Sequence, residues 1–237
     1  MPDLMPAAQG PAMNRRARRS LRSLGRNRDA IMLIEFAYSL PILMLLAFGS
    51  IELANLAISN MRVSQIAMTV ADNLSRAKQS VPLGLPQLRE VDINDALLGA
   101  RIQSGNNLNV LSRGRIIVSS LQQNGSNKQR IFWQRCKGML NVAPAYGVEG
   151  ATEGTTTGFT GMGAGSAKVQ AAAGSAIIFA EVTYDYEPLV GAWALGTFRI
   201  RREAAFYVRD DRDLTQVYNP NPAATPSACN VYNTTFS

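Results

Sequence analysis

The sequence predicts an α+β fold. A long N-terminal helix, apolar enough in its first half to cross a bilayer and amphipathic in its second, packs on a small antiparallel sheet. Three patterns predict it. Residues 31–58 contain no Lys or Arg and are apolar almost throughout. Val63, Ile66, Ala67, Val70, Ala71, Leu74 and Ala77 then recur at three- and four-residue steps, the spacing of one helix face. From residue 115 onward, four β-rich runs are separated by turn residues, and the period changes from helical to alternating.

The first element is a basic tail or leader, residues 1–30. It holds seven Arg (15, 16, 18, 19, 22, 26 and 28) against Asp3 and Asp29, which is +5 of the net +7 and leaves +2 for the remaining chain. With Pro2, Pro6, Gly10 and Pro11 it has too little apolar content to fold alone. The second element is a transmembrane helix over 31–58. At 1.5 Å per residue such a helix covers about 42 Å, against a hydrocarbon core of about 30 Å. Pro41 lies within it and predicts a kink or local loosening, and Glu52 is expected at the far interface. The arginines before the span place the N-terminus in the cytoplasm, so 59–237 is expected to be an exported, periplasmic α+β domain. A cleaved secretory signal is the rival, but its charged and apolar regions would both be overlong, and Ala54-Asn-Leu-Ala57 is a poor cleavage site.

The helix is expected to continue to about residue 78 and to stop before Pro82, Gly84 and Pro86. Its apolar face packs either on the domain's own sheet or on a partner helix. A short helix follows over 92–103, with Asp92 as N-cap and Asp95 in its first turn. Residues 115–123 and 128–136 flank Asn124-Gly125 and read as a hairpin. Residues 147–176 are rich in Gly, Thr and Ala and read as a mobile loop; Gly161-Met-Gly-Ala-Gly165 lacks the Lys-Ser/Thr of a phosphate loop. Two more strands, 176–186 and 197–208, precede a Pro- and Asn-rich tail beyond Asn219, expected on the surface.

Composition narrows function. The chain has no histidine, which removes the commonest general base and metal ligand. It has two cysteines, Cys136 and Cys229, and an even count in an exported domain reads as a disulfide. Two thiols alone do not complete a zinc site, and these are not a C-x-x-C pair. Glu181, Asp185 and Glu187 share strand parity, but a solvated strand face accounts for them. No catalytic, cofactor or metal site is expected, and the basic tail is a topology signal and a contact for anionic lipid rather than a nucleic-acid stripe.

Several segments together carry a resemblance. The Glu35-Phe36 pair opens an apolar helix, Ala37-Tyr-Ser-Leu-Pro41 follows, and the run closes on Ile51-Glu52-Leu53. Further on stand Glu181-Val-Thr-Tyr-Asp-Tyr-Glu-Pro-Leu189, Arg201 and Tyr207-Val-Arg209. These are similar to the TadE-like proteins of bacterial tight-adherence (Flp-type) pilus assembly. The longer TadG-like relatives add a von Willebrand-type domain, for which this chain lacks the length and the D-x-S-x-S run. The resemblance implies a pseudopilin-like fold and an inner-membrane structural protein whose partners are other pilus-assembly proteins or pseudopilins. It also implies a prepilin peptidase cutting between Ala30 and Ile31, with Ala30 standing where the family pattern has glycine.

Glu35 then has two readings. It sits among headgroups near the helix start, where the dipole favours an anion, or it lies in the apolar layer and pairs with a cation of a neighbouring subunit. The alternative to a pilus protein is a single-pass envelope protein with an exported binding domain. An enzyme is the third class, for which no nucleophile–base pair speaks.

Overall fold

The structure, a computed structural model, describes residues 28–166, 168–190 and 196–236, with side chains from Ile31 onward. The basic tail up to residue 27, on which the expected orientation rests, lies outside the described residues. The chain divides into two units, Met1–Ile51 and Glu52–Ser237.

Helix α1 spans Arg28–Arg76 and is continuous through Pro41. In the first unit its large apolar side chains are exposed: Leu45 is 75% and Leu33 72% accessible. It is the one helix among the described residues long and apolar enough to cross a membrane.

In the second unit, α1 buries the face that its periodicity predicts. Val63, Ile66, Ala67, Val70, Ala71 and Leu74 are all inaccessible to solvent. They meet helix α2 (Glu90–Leu108), the single turn α3 (Val110–Arg113) and one face of a sheet of four strands: β1 Gly114–Gln123, β2 Gln129–Lys137, β3 Ala176–Tyr186 and β4 Phe198–Tyr207. All neighbours are antiparallel, in the order β2-β1-β3-β4. The α+β class therefore holds, and the amphipathic face packs on its own domain. The last carbonyls of α1 are satisfied by a side chain from the C-terminal segment: Arg212 donates to Leu74 O at 2.8 Å and to Ala77 O at 2.7 Å. Burial lowers the Arg212 pKa to about 10, still well above neutral pH.

Two expectations are corrected. Helix α2 begins at Glu90, so Asp92 is its third residue and not the N-cap; its carboxylate reaches back to the Arg89 amide at 3.0 Å and to the Arg89 guanidinium. The hairpin forms as expected; in its turn Asn127 has φ 58°, and Asn124 Oδ1 accepts from the Ser126 and Lys128 amides.

The second correction concerns the glycine-rich segment. Its described residues before β3 form neither helix nor strand, yet they cover the sheet face opposite α1. Ala151, Phe159, Met162 and Ala171 are buried there with Leu121, Ile131, Ile177 and Phe179. Small residues let irregular backbone lie close over a sheet, so a composition that reads as mobility instead builds a second core layer. Gly161 illustrates the need: its φ is +131°, and a Cβ there would lie 2.6 Å from Val169 O.

The C-terminal tail lies on the surface and is tied down by Cys229, as expected, and it also borders β2 and α2. Ser227 O accepts from the Cys136 N–H at 2.8 Å, Asn233 O from the Gly138 N–H at 3.1 Å, and Thr225 O from the Asn94 side-chain amide Nδ2 at 2.9 Å.

Candidate functional site

Of the residues that sequence singles out, the two cysteines meet: Cys136 on β2 and Cys229 in the tail form a disulfide, with Cα atoms 4.6 Å apart. The Ala30–Ile31 bond lies within α1, near its start, and Ile31 is 63% exposed. Glu35, one turn further along, is exposed on α1 amid exposed apolar side chains.

A site that the sequence does not single out lies where the second unit begins. Glu52 is buried. The Tyr186 hydroxyl, at the end of β3, donates to its Oε1, and the amides of Leu189 and Val190 both donate to its Oε2 at 2.9 Å. Asn55, three residues further along α1, donates its amide to the Tyr186 oxygen at 2.7 Å. Four donors therefore organise the junction of α1 with the end of the sheet. Burial first, and the Glu52 hydrogen bond second, push the Tyr186 phenol up to about 12. Beside this node is a cleft of about 480 Å³, lined among others by Ser59, Arg62, Arg113, Tyr184 and Glu187. Glu187 is paired with Arg113 at 2.5 Å, so the one carboxylate in that lining is occupied.

The glycine-rich layer covers a second polar cluster. Glu181 is 2% exposed, not on a solvated strand face as parity with Asp185 and Glu187 suggests. Its Oε2 accepts from the Ala145 amide at 3.1 Å and from Arg201 at 2.8 Å, while Oε1 has no partner. Glu203, directly across the β3–β4 ladder, pairs with Arg201 at 2.9 Å and accepts from the Tyr146 hydroxyl at 2.7 Å. Burial raises the Glu181 pKa above the ordinary carboxylate value; Ala145 N–H and Arg201 oppose this, and Glu203 adds to it. Asp185 pairs instead with exposed Arg199 at 2.7 Å, which lowers its pKa. The three acids thus have three separate partners.

Arg115 is a third buried group. It is 1% exposed and donates to the carbonyls of Gly138, Cys229 and Val231, at 3.1, 2.5 and 3.4 Å, with the Tyr232 ring 4.0 Å away. Its partners are backbone carbonyls of the tail and the end of β2. It fastens the same segment as the disulfide.

Chemically, these arrangements fasten elements together. Among the described residues no group of three or more His, Cys, Asp or Glu is placed to hold a metal ion. The Glu52 node was accessible to sequence reasoning in one respect: Glu52 and Tyr186 both lie in the segments that carry the family resemblance. Nothing in the sequence marked Arg115, which opens an apolar run as a charged strand end ordinarily does. No protein-family model, no curated protein and no solved structure matches this chain.

Proposed function

We propose that the chain is a pseudopilin-like structural protein of the bacterial inner membrane, acting with other assembly proteins to build a tight-adherence (Flp-type) pilus. In this reading the apolar half of α1 is its anchor, the basic tail faces the cytoplasm, and the domain beyond residue 59 faces the periplasm. The observation that carries the reading is the Glu52 node. Glu52 comes from the first block of family-like residues, Tyr186 and Leu189 from the second, 134 and 137 positions later, and they are hydrogen-bonded to each other. Unrelated chance similarities have no reason to converge on one site.

Glu35 supplies the assembly function. A carboxylate inside an apolar span is costly unless paired, and an exposed one on a lone helix is available to a cation of a neighbouring subunit. If the chain is cut after Ala30, the new α-amino group of Ile31 is such a cation, one helical turn from Glu35. Glu35→Gln keeps shape and removes charge. The variant should reach normal membrane levels yet lose co-purification with other pilus components, while Glu35→Asp retains it. Normal pili built on Glu35→Gln would refute the pairing. Normal adhesive pili in cells lacking the protein altogether would refute the function.

A further inference from the structure

The two edges of the sheet are treated differently. Along β2, the outer edge is occupied. Gln129 and Gln134 amides donate to the carboxylates of Glu153 and Glu149 at 3.1 and 3.0 Å. Ile131 N–H donates to Ala151 O, and Cys136 N–H to Ser227 O. The glycine-rich layer and the disulfide-held tail thus seal that edge.

Along β4 the register decides which groups point outward. Val208 N–H donates to Ala176 O, so the even-numbered residues face β3, and Arg199, Arg201, Glu203, Ala205 and Tyr207 turn their amides and carbonyls away from the sheet. Among the described residues no group accepts from those five amides; of the five carbonyls, Arg201 O alone is met, by the neighbouring Arg202 side chain at 3.1 Å. An open edge of ten residues is a template for another strand, and proteins ordinarily blunt such edges. This one has no proline, and its Arg199 and Arg201 are already neutralised by Asp185, Glu181 and Glu203.

We propose that β4 is a strand-addition surface for an extended segment of a different polypeptide, one that places a carboxylate between two apolar residues spaced two apart on either side. Arg202 dictates the carboxylate. It is exposed, its guanidinium is held by the neutral Asn60 Oδ1 at 2.7 Å, and it stands on the α1 face of β4 at a position that is non-hydrogen-bonded toward an added strand, where cross-strand side chains come closest. Ile200 and Ala204, two residues to either side on the same face, dictate apolar neighbours. A second β4 does not fit: its residues on that face, Phe198, Ile200, Arg202, Ala204 and Phe206, include no carboxylate, so Arg202 would meet an apolar or like-charged side chain.

The test uses the full chain in detergent micelles with residue-resolved amide exchange. The probe is the synthetic peptide acetyl-Ser-Val-Thr-Glu-Thr-Val-Ser-amide, and its control replaces Glu by Lys. In the free protein, amides of Arg201, Glu203 and Ala205 should exchange far faster than those of Arg202, Ala204 and Phe206. The Glu peptide should slow the first set by about tenfold or more at saturation. The Lys peptide should bind about three- to tenfold more weakly, given the size of cross-strand charge effects. Ala205→Pro removes an outward amide without touching the ladder to β3 and should abolish the effect. Arg202→Glu should invert the peptide preference, which keeps the test decisive should the proline variant fail to fold. Outward amides already as protected as inward ones, no response to the Glu peptide, or concentration-dependent self-association through β4 would each overturn the proposal.

Discussion

Tyr186 donates its hydroxyl to Glu52, tying the last residue of β3 to the helix turn at which the second unit starts. The bond is charge-assisted and both partners are buried, so its loss is felt as a carboxylate left short of a donor. Tyr186→Phe keeps the ring and removes the hydroxyl. It should destabilise the domain by about 1.5–3 kcal/mol, read from chemical denaturation. The tyrosine's raised pKa also has a sign. The neutral phenol is favoured in the folded state, so its contribution is intact below the unfolded pKa of about 10 and is lost as pH rises toward about 12. Tyr186→Phe should therefore flatten the fall in stability above pH 10. An unchanged alkaline limb would mean that another group governs it.

The C-terminal tail is fastened twice, by the disulfide and by Arg115. The disulfide spans 93 positions of sequence, and loop-closure entropy assigns about 4–5 kcal/mol to a loop of that size, as an upper figure. Reduction, or the pair Cys136→Ser and Cys229→Ser, should lower the melting temperature and expose the segment beyond Asn219 to proteolysis. Arg115→Lys should loosen the same segment, because an ammonium does not span three carbonyls as a guanidinium fork does. Since Arg115 binds the carbonyl of Cys229 itself, the two losses should be non-additive by about 0.5–3 kcal/mol in a double-mutant cycle. Strict additivity would show that the two fasteners act on separate parts of the tail.

Much of the fold was legible because it rests on periodicity. The α1 face from Val63 to Leu74 is buried residue for residue, and the four strands fall within one or two residues of their expected ends. What was not legible depends on long-range partners. Asp92 has the chemistry of an N-cap, but Tyr218 O accepts from the Glu90 amide and extends α2 back to that residue. Glu181 has the alternation of a solvated face, but the glycine-rich segment folds over it, and no local pattern announces which sheet face a loop will cover. The disulfide was legible from number alone: with two cysteines only one pairing exists. The pairing of Glu52 with Tyr186 was not, although both lie in family-like segments, since a glutamate at the end of an apolar run already has a sufficient explanation in the interface.

The Glu181 cluster predicts a pH effect of a definite sign. Its pKa is raised on folding, chiefly by burial, so the folded state resists ionisation. Below the unfolded carboxylate value the group is protonated in both states and costs nothing. As pH rises through that value toward the higher folded one, the unfolded state sheds the proton first and stability is lost. Glu181→Gln removes this dependence. The stability difference, wild type minus variant, should therefore fall as pH rises above the unfolded carboxylate value of about 4. A difference that rises instead would mean that the Arg201 pair outweighs burial. Asp213 moves the other way: Thr215 and Tyr218 hold its pKa down, so its contribution appears as pH rises.

Topology is the prediction on which the membrane reading stands. Leu83 is 95% exposed in the loop that follows α1, closed by hydrogen bonds between Gln79 and Gln87, whereas Ser120 is buried and unsuited to a surface label. Cysteines introduced at Ser20 and Leu83 therefore report the two sides. The native thiols are joined in a disulfide, so an oxidised background contributes no free thiol of its own. In intact spheroplasts an impermeant maleimide should label Leu83→Cys and leave Ser20→Cys unlabelled until the membrane is opened. The arginines before the span require this, because seven of them would otherwise cross the bilayer. Labelling at position 20 in sealed spheroplasts would reverse the orientation, and with it the compartment assigned to the domain, to its disulfide and to the open edge of β4. Labelling at both positions would show that the apolar half of α1 does not span at all.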